Sequence, residues 1–184
     1  ALKPLVLLAG SQPSNEKYLR ALAKVQVAAS NPAGALETYT KLLSMEVPDA
    51  DLYIRRAECY RKTGEFVKAT ADIEKYLGFF PEDKYALSLG GRIESASGNI
   101  LKGLEFFNRN LNLHPSDPEC YIDRANAYFA TKSYSWANND FSMALDLDPE
   151  NSETWLDKGL SLIYLGKTED ACYYFKTSLK LGNR

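Results

Sequence analysis

Residues 117–151 read DPECYIDRANAYFATKSYSWANNDFSMALDLDPEN, and the stretch decides the fold because its ends, Asp117 and Asn151, are the same kind of residue 34 positions apart. Counting back at that interval meets Asp83, Asp49 and Asn15 without an insertion or deletion. An Asx side-chain oxygen accepts a hydrogen bond from a backbone N–H that the first turn of a helix leaves unpaired. Each of the five therefore predicts a helix N-cap, and the chain is one small unit written five times, with units starting at residues 16, 50, 84, 118 and 152.

The columns of the five units agree. Position 4 holds Leu19, Tyr53, Leu87, Tyr121 and Trp155, and position 8 holds Ala23, Ala57, Gly91, Ala125 and Gly159. Position 20 is again small, with Ala35, Ala69, Gly103, Ala137 and Ala171, and position 24 is large and apolar, with Tyr39, Ile73, Phe107, Phe141 and Phe175. Spacings of three and four place one stripe on each of two helices. Gly64, Gly98 and Gly166 at position 15 mark the turn between them, and Pro81, Pro115 and Pro149 at position 32 end the second helix. Small residues at positions 8 and 20 allow two helix axes to approach closely. Such a hairpin buries too little to stand alone, so successive hairpins stack.

This pattern resembles the tetratricopeptide repeat. The resemblance is clearest where Tyr121, Ala125, Tyr128, Tyr134, Ala137, Phe141, Ala144 and Pro149 fall in register, and again at Tyr53, Ala57, Tyr60, Gly64, Phe66, Ala69 and Pro81. It covers residues 16–183 and implies an all-α, right-handed superhelical solenoid of stacked antiparallel hairpins, whose first helices line a concave, protein-binding groove. Two units depart from the pattern. Gln26 at position 11 and Asn31-Pro32 at the turn predict a differently joined first hairpin, and Gly90-Gly91, Glu94 and Asn110 make the third unit the weakest. Gly90 costs its helix on the order of 1 kcal/mol. The third unit reads either as a soft joint or as a weak repeat held by its neighbours.

Residues 1–15 form a helical segment that reads as the second half of a preceding repeat, with Ala1, Leu5, Leu8 and Pro13 at positions 20, 24, 27 and 32. A secretory remnant or a capping helix are the alternatives. At the other end, Tyr173, Tyr174 and Leu181 predict an uncovered apolar face, from a fragment's cut edge or from homo-oligomer contacts through the terminal repeats.

Composition narrows the function. Net charge is -2, with 45% hydrophobic and 25% charged residues, which speaks against general nucleic-acid binding. No run is long enough to span a membrane. His114 ends a helix, and Cys59, Cys120 and Cys172 occupy unrelated repeat positions, so neither a catalytic base nor a zinc site is predicted. The reading is no enzyme, no cofactor and no metal. Cysteines of this kind are read as small buried hydrophobes, which favours the cytoplasm, with a periplasmic or secreted location as the alternative.

In the family, the groove lining comes chiefly from positions 2, 5, 9, 12 and 13. Here those positions begin basic, with Lys17, Arg20, Lys24, Arg61, Lys62 and Arg92, partly neutralised by Asp51 and Glu58. They then turn apolar through Ile122, Phe129, Leu156, Leu160, Ile163 and Tyr164, with Asn126 among them and Glu119 and Glu153 at the edge. The expectation is a scaffold or adaptor groove that takes an acidic segment at one end and an amphipathic or apolar one at the other. Self-assembly, or service to an enzyme domain, are the competing functions. The carboxylate clamp that some members use for chaperone tails has no register here, because Asp123, Glu153 and Asp157 fall at its cationic positions.

Overall fold

The computed structural model describes residues 2–12, 14–45 and 49–182. Ala1 and Pro13, on which the half-repeat reading of the opening partly rests, lie outside them. The described residues form eleven α-helices: α1 (Leu2–Ser11), α2 (Glu16–Ala28), α3 (Pro32–Ser44), α4 (Asp51–Thr63), α5 (Phe66–Phe79), α6 (Lys84–Ala96), α7 (Ile100–Leu113), α8 (Pro118–Ala130), α9 (Tyr134–Leu147), α10 (Ser152–Tyr164) and α11 (Thr168–Gly182). From α2 onward they pair into five hairpins. The chain divides into two compact units, Ala1–Leu89 and Gly90–Arg184, with the boundary inside α6.

Four of the five Asx residues are N-caps; the fifth, Asp49, stands one residue before the N-cap of α4, which is Ala50 and makes no side-chain cap bond. Asn15, Asp83 and Asn151 accept the N–H three residues on, at 3.3, 2.7 and 3.0 Å. Asp49 and Asp117 accept the one two residues on, each at 3.0 Å.

The turn within each hairpin is one conformation repeated five times. Gly64, Gly98 and Gly166 have φ of 79°, 90° and 75°, and at the same position Ser30 and Lys132 take φ of 53° and 60°. In every hairpin the N–H at position 16 bonds the carbonyl at position 11, and the N–H at position 15 bonds that at position 12. This is a Schellman closure. The first hairpin is therefore joined like the others, contrary to the expectation from Asn31-Pro32. Asn31 caps α3 by accepting from Gly34 N–H, and Pro32 sits in the first turn, where no N–H is missed.

Close packing explains the small columns. Ala23, Ala57 and Ala125, and opposite them Ala35, Ala69, Ala137 and Ala171, are wholly buried. A Cβ at Gly91 would lie 2.3 Å from the Phe107 ring, and one at Gly159 would lie 2.5 Å from Phe175. Position 8 is thus the seat of the position-24 ring. At position 4, Leu19 and Leu87 are buried, whereas Tyr121 Oη donates to Pro115 O at 3.2 Å and Trp155 Nε1 donates to Pro149 O at 2.8 Å. Those two bonds tie α8 and α10 to the proline that ends the preceding repeat.

In the first unit the core gathers Leu19, Leu22, Ala23, Ala35, Tyr39, Leu42, Leu52 and Cys59. Gln26, the odd residue at position 11, is buried and accepts from Thr38 Oγ1 at 2.8 Å. In the second unit Phe141 packs with Ala125 and Ala137. Glu94 is only 4% exposed, yet it is paired with Lys102 at 3.0 Å and accepts from Asn99 Nδ2 at 3.0 Å. The weakest repeat is therefore polar inside without leaving that carboxylate bare.

Two repeats share a device that the columns did not reveal. Arg56 Nε and Nη2 donate to the two oxygens of Asp72 at 2.7 and 2.8 Å, and Nη1 reaches Thr40 Oγ1 at 3.3 Å. Arg124 does the same to Asp140 at 2.7 and 2.8 Å, and reaches Asn108 Oδ1 at 2.8 Å. Each fork joins the two helices of one hairpin and reaches back to the preceding hairpin. Both carboxylates are buried, and both guanidinium pKa values are raised, first by the hydrogen bond to the aspartate. In the fifth hairpin, Lys158 over the Tyr174 ring, 4.5 Å from its centroid, occupies the equivalent positions.

Candidate functional site

The first helices carry the candidate residues. In the first unit, α2 and α4 bring Lys17, Lys24, Arg61 and Lys62 to the surface, all exposed and none in an ion pair among the described residues. Arg20 is different. Its Nε lies 2.7 Å from Glu16 and its Nη1 2.5 Å from Asp49, and those two hydrogen bonds, Glu16 foremost, raise its pKa. Arg20 thus ties the start of α2 to the residue just before the cap of α4. On the same unit the Tyr85 hydroxyl donates to Glu58, which occupies one of the neutralising carboxylates.

In the second unit a cleft of 610 Å³ opens between α6, α8 and α10. Ile122 and Asn126 line it as the sequence suggested, and so do Arg92, Glu119, Asp123, Glu153, Thr154 and Asp157. Arg92 belongs here, with its Nη2 2.7 Å from buried Asp123. The wall is therefore acidic where an apolar lining was expected. The signal was present at position 6, where Asp123 and Asp157 recur, but the groove columns taken from the family did not include that position. Burial, and then the nearby Glu153, push the Asp157 carboxyl above its ordinary range.

The apolar residues lie beside the cleft. Leu156, Leu160 and Ile163 form one exposed stripe of α10, 42, 37 and 39% accessible. Phe129 is half-buried and meets Tyr134 and Tyr164 at centroid distances of 5.2 and 5.5 Å, while those two tyrosines stack at 4.6 Å. Phe129 is thus engaged in an aromatic cluster. On α11, Tyr173 is exposed as expected, but Tyr174 and Leu181 are half-buried. Cys59 and Cys120 are buried, whereas Cys172 is exposed, which corrects the reading of all three as buried. Burial raises the Cys59 thiol. No group of acidic, histidine or cysteine side chains among the described residues could hold a metal ion, and no helix is long and apolar enough to cross a membrane.

Repeated hairpins with close-packed small columns and an exposed first-helix face define a helical-repeat protein, and known proteins resemble it as follows. A tetratricopeptide-repeat model matches residues 20–84. Human tetratricopeptide repeat protein 13 is 31% identical over 101 residues, covering 55% of this chain and 11% of that protein. The DnaJ protein P58IPK homolog A of Oryza sativa subsp. japonica is 25% identical over 163 residues, covering 80% of this chain and 34% of that protein. The chain thus spans a minor part of the relatives it matches. Among solved structures, MamA 41-end from Desulfovibrio magneticus RS-1 superposes with a TM-score of 0.78 at 18% identity, covering 91% of this chain and 95% of that one. A crystal structure of MamA protein gives 0.76 at 15%, covering 91% and 92%. Residues 20–84 thus match the tetratricopeptide-repeat family, whose members generally mediate protein–protein interaction.

Proposed function

We propose that the chain is a non-catalytic scaffold or adaptor that binds a protein segment along its first-helix face, with the basic side of the first unit attracting an acidic stretch. The observation that carries this is the set of four exposed cations, Lys17, Lys24, Arg61 and Lys62, on two first helices, with no ion pair among the described residues to neutralise them. Exposed charge of this kind accelerates encounter and selects partners by sign. Arg20 contributes through the fold rather than through a ligand.

The test is affinity capture from cell extract with the native chain and with a Lys17→Glu, Lys24→Glu, Arg61→Glu, Lys62→Glu variant of verified helicity. Selective loss of a partner that the native chain retains supports an acidic ligand on this face. Equal recovery by both proteins overturns it. Arg20 is left in place so that a lost partner does not report the loss of its tie to Asp49.

A further inference from the structure

We propose that the cleft of the second unit binds a peptide side chain bearing an ammonium or guanidinium group, with the apolar stripe of α10 taking the residues beside it. The inference rests on the reading of the chain as a binding scaffold and assigns to this cleft a ligand of opposite charge to that of the first unit.

Four carboxylates, Glu119, Asp123, Glu153 and Asp157, share the 610 Å³ cleft with one guanidinium, Arg92. That guanidinium is already engaged with Asp123, at 2.9 Å through Nε and 2.7 Å through Nη2. Glu119, Glu153 and Asp157 have no cation of this chain opposite them among the described residues. An incoming cation therefore meets three carboxylates that no ion pair among the described residues neutralises. The carboxylates do not converge in a metal-binding group, so a charge on a long, flexible stem suits the spread better than a bare ion. Ile122, Ala127, Ala130 and Ile100 offer apolar wall for the methylenes of such a stem.

Uncharged groups point the same way. Thr154 is 2% exposed and lines the cleft. Ser95 Oγ, at the edge of the cleft beneath Gly103, is buried without a partner. Asn126 presents an exposed carboxamide from α8, able both to donate to and to accept from a peptide backbone. Beyond them Leu156, Leu160 and Ile163 follow one another along a single face of α10. Carboxylates, unpaired hydroxyl, free amide and apolar stripe together describe a site for an extended basic and apolar segment.

The experiment uses the whole chain and three fluorescein-labelled peptides, (Gly-Lys-Leu)₄, (Gly-Glu-Leu)₄ and (Gly-Ser-Leu)₄, read by anisotropy. The lysine peptide is expected to bind at least tenfold more tightly than the serine peptide. Glu153→Gln/Asp157→Asn is expected to remove that preference, and Leu156→Ser/Leu160→Ser to weaken the lysine and serine peptides alike. Asn126→Lys, an exposed change that places a cation in the cleft, is expected to repel the lysine peptide and provides a second readout if the first variant folds poorly. Undiminished binding of the lysine peptide to both charge variants overturns the assignment. So does a wild-type preference for the serine or glutamate peptide. Glutamate-peptide binding lost only in the variant reversed at Lys17, Lys24, Arg61 and Lys62 would leave the basic-face reading standing while this one falls. Absence of binding by all three peptides would count against both.

Discussion

Arg56 and Asp72, like Arg124 and Asp140, are ion pairs whose value lies in what happens when one partner is missing. Removing the arginine leaves a carboxylate 2 or 6% exposed with its charge unpaired, which costs about 3 kcal/mol. Arg56→Ala is therefore expected to lower the urea midpoint markedly, whereas Arg56→Met/Asp72→Leu should recover most of the loss. Equal midpoints for the single and double variants would contradict this. Asp157 carries the opposite sign. Its carboxyl is raised above 3.8 in the fold, so the native chain holds the proton more tightly and stability falls as pH rises through the range above that value. Asp157→Asn should accordingly be more stable than the native chain at pH 7. The advantage should vanish below about pH 4, and thermal melts across pH check the sign.

At the scale of the element, the hairpin turn is more uniform than its sequence. Ser30 and Lys132 adopt the left-handed conformation that Gly64, Gly98 and Gly166 adopt freely, at a cost of about 1 kcal/mol each. Lys132→Gly should stabilise by roughly that amount and Gly64→Ala destabilise by a similar one, measured by chemical unfolding. The small columns respond to what they face. Gly91→Ala drives a methyl into Phe107, which is 2% exposed and cannot move aside, and is expected to cost about 2–3 kcal/mol. Gly159→Ala meets Phe175, which is half-buried and has room to swing, so its cost should be visibly smaller. Equal costs would show that ring exposure does not govern the column. The caps at Asn15, Asp83, Asp117 and Asn151 and the two stripes of each hairpin were legible because they depend on neighbours a few residues away. The closure at Ser30 was not, because backbone hydrogen bonds from positions 15 and 16 set that turn whether or not a glycine is there.

For the whole molecule, repeats that contact chiefly their neighbours spread damage locally. Arg56→Ala is expected to lower amide protection in α3, α4 and α5 while leaving α8, α9 and α10 as they were, and hydrogen exchange followed by mass spectrometry tests it. Uniform loss along the chain would mean one cooperative block. The sequence by itself determined the repeat length, the hairpin and most of the capping residues, because an unbroken interval of 34 and spacings of three and four need only local geometry to interpret. It also placed the exposed cations of α2 and α4 and the stripe of α10. Only the tertiary structure decided which charges are available. Arg20 is held by Glu16 and Asp49, Arg92 by Asp123, and Glu58 by Tyr85, while Asp123 and Asp157 turn the cleft of the second unit acidic. The physical reason is that a charge's effect depends on its distance to partners and on the water around it. Apart from Glu16, which shares α2 with Arg20, those partners lie 27 to 31 residues away in the chain, at separations that no local pattern encodes.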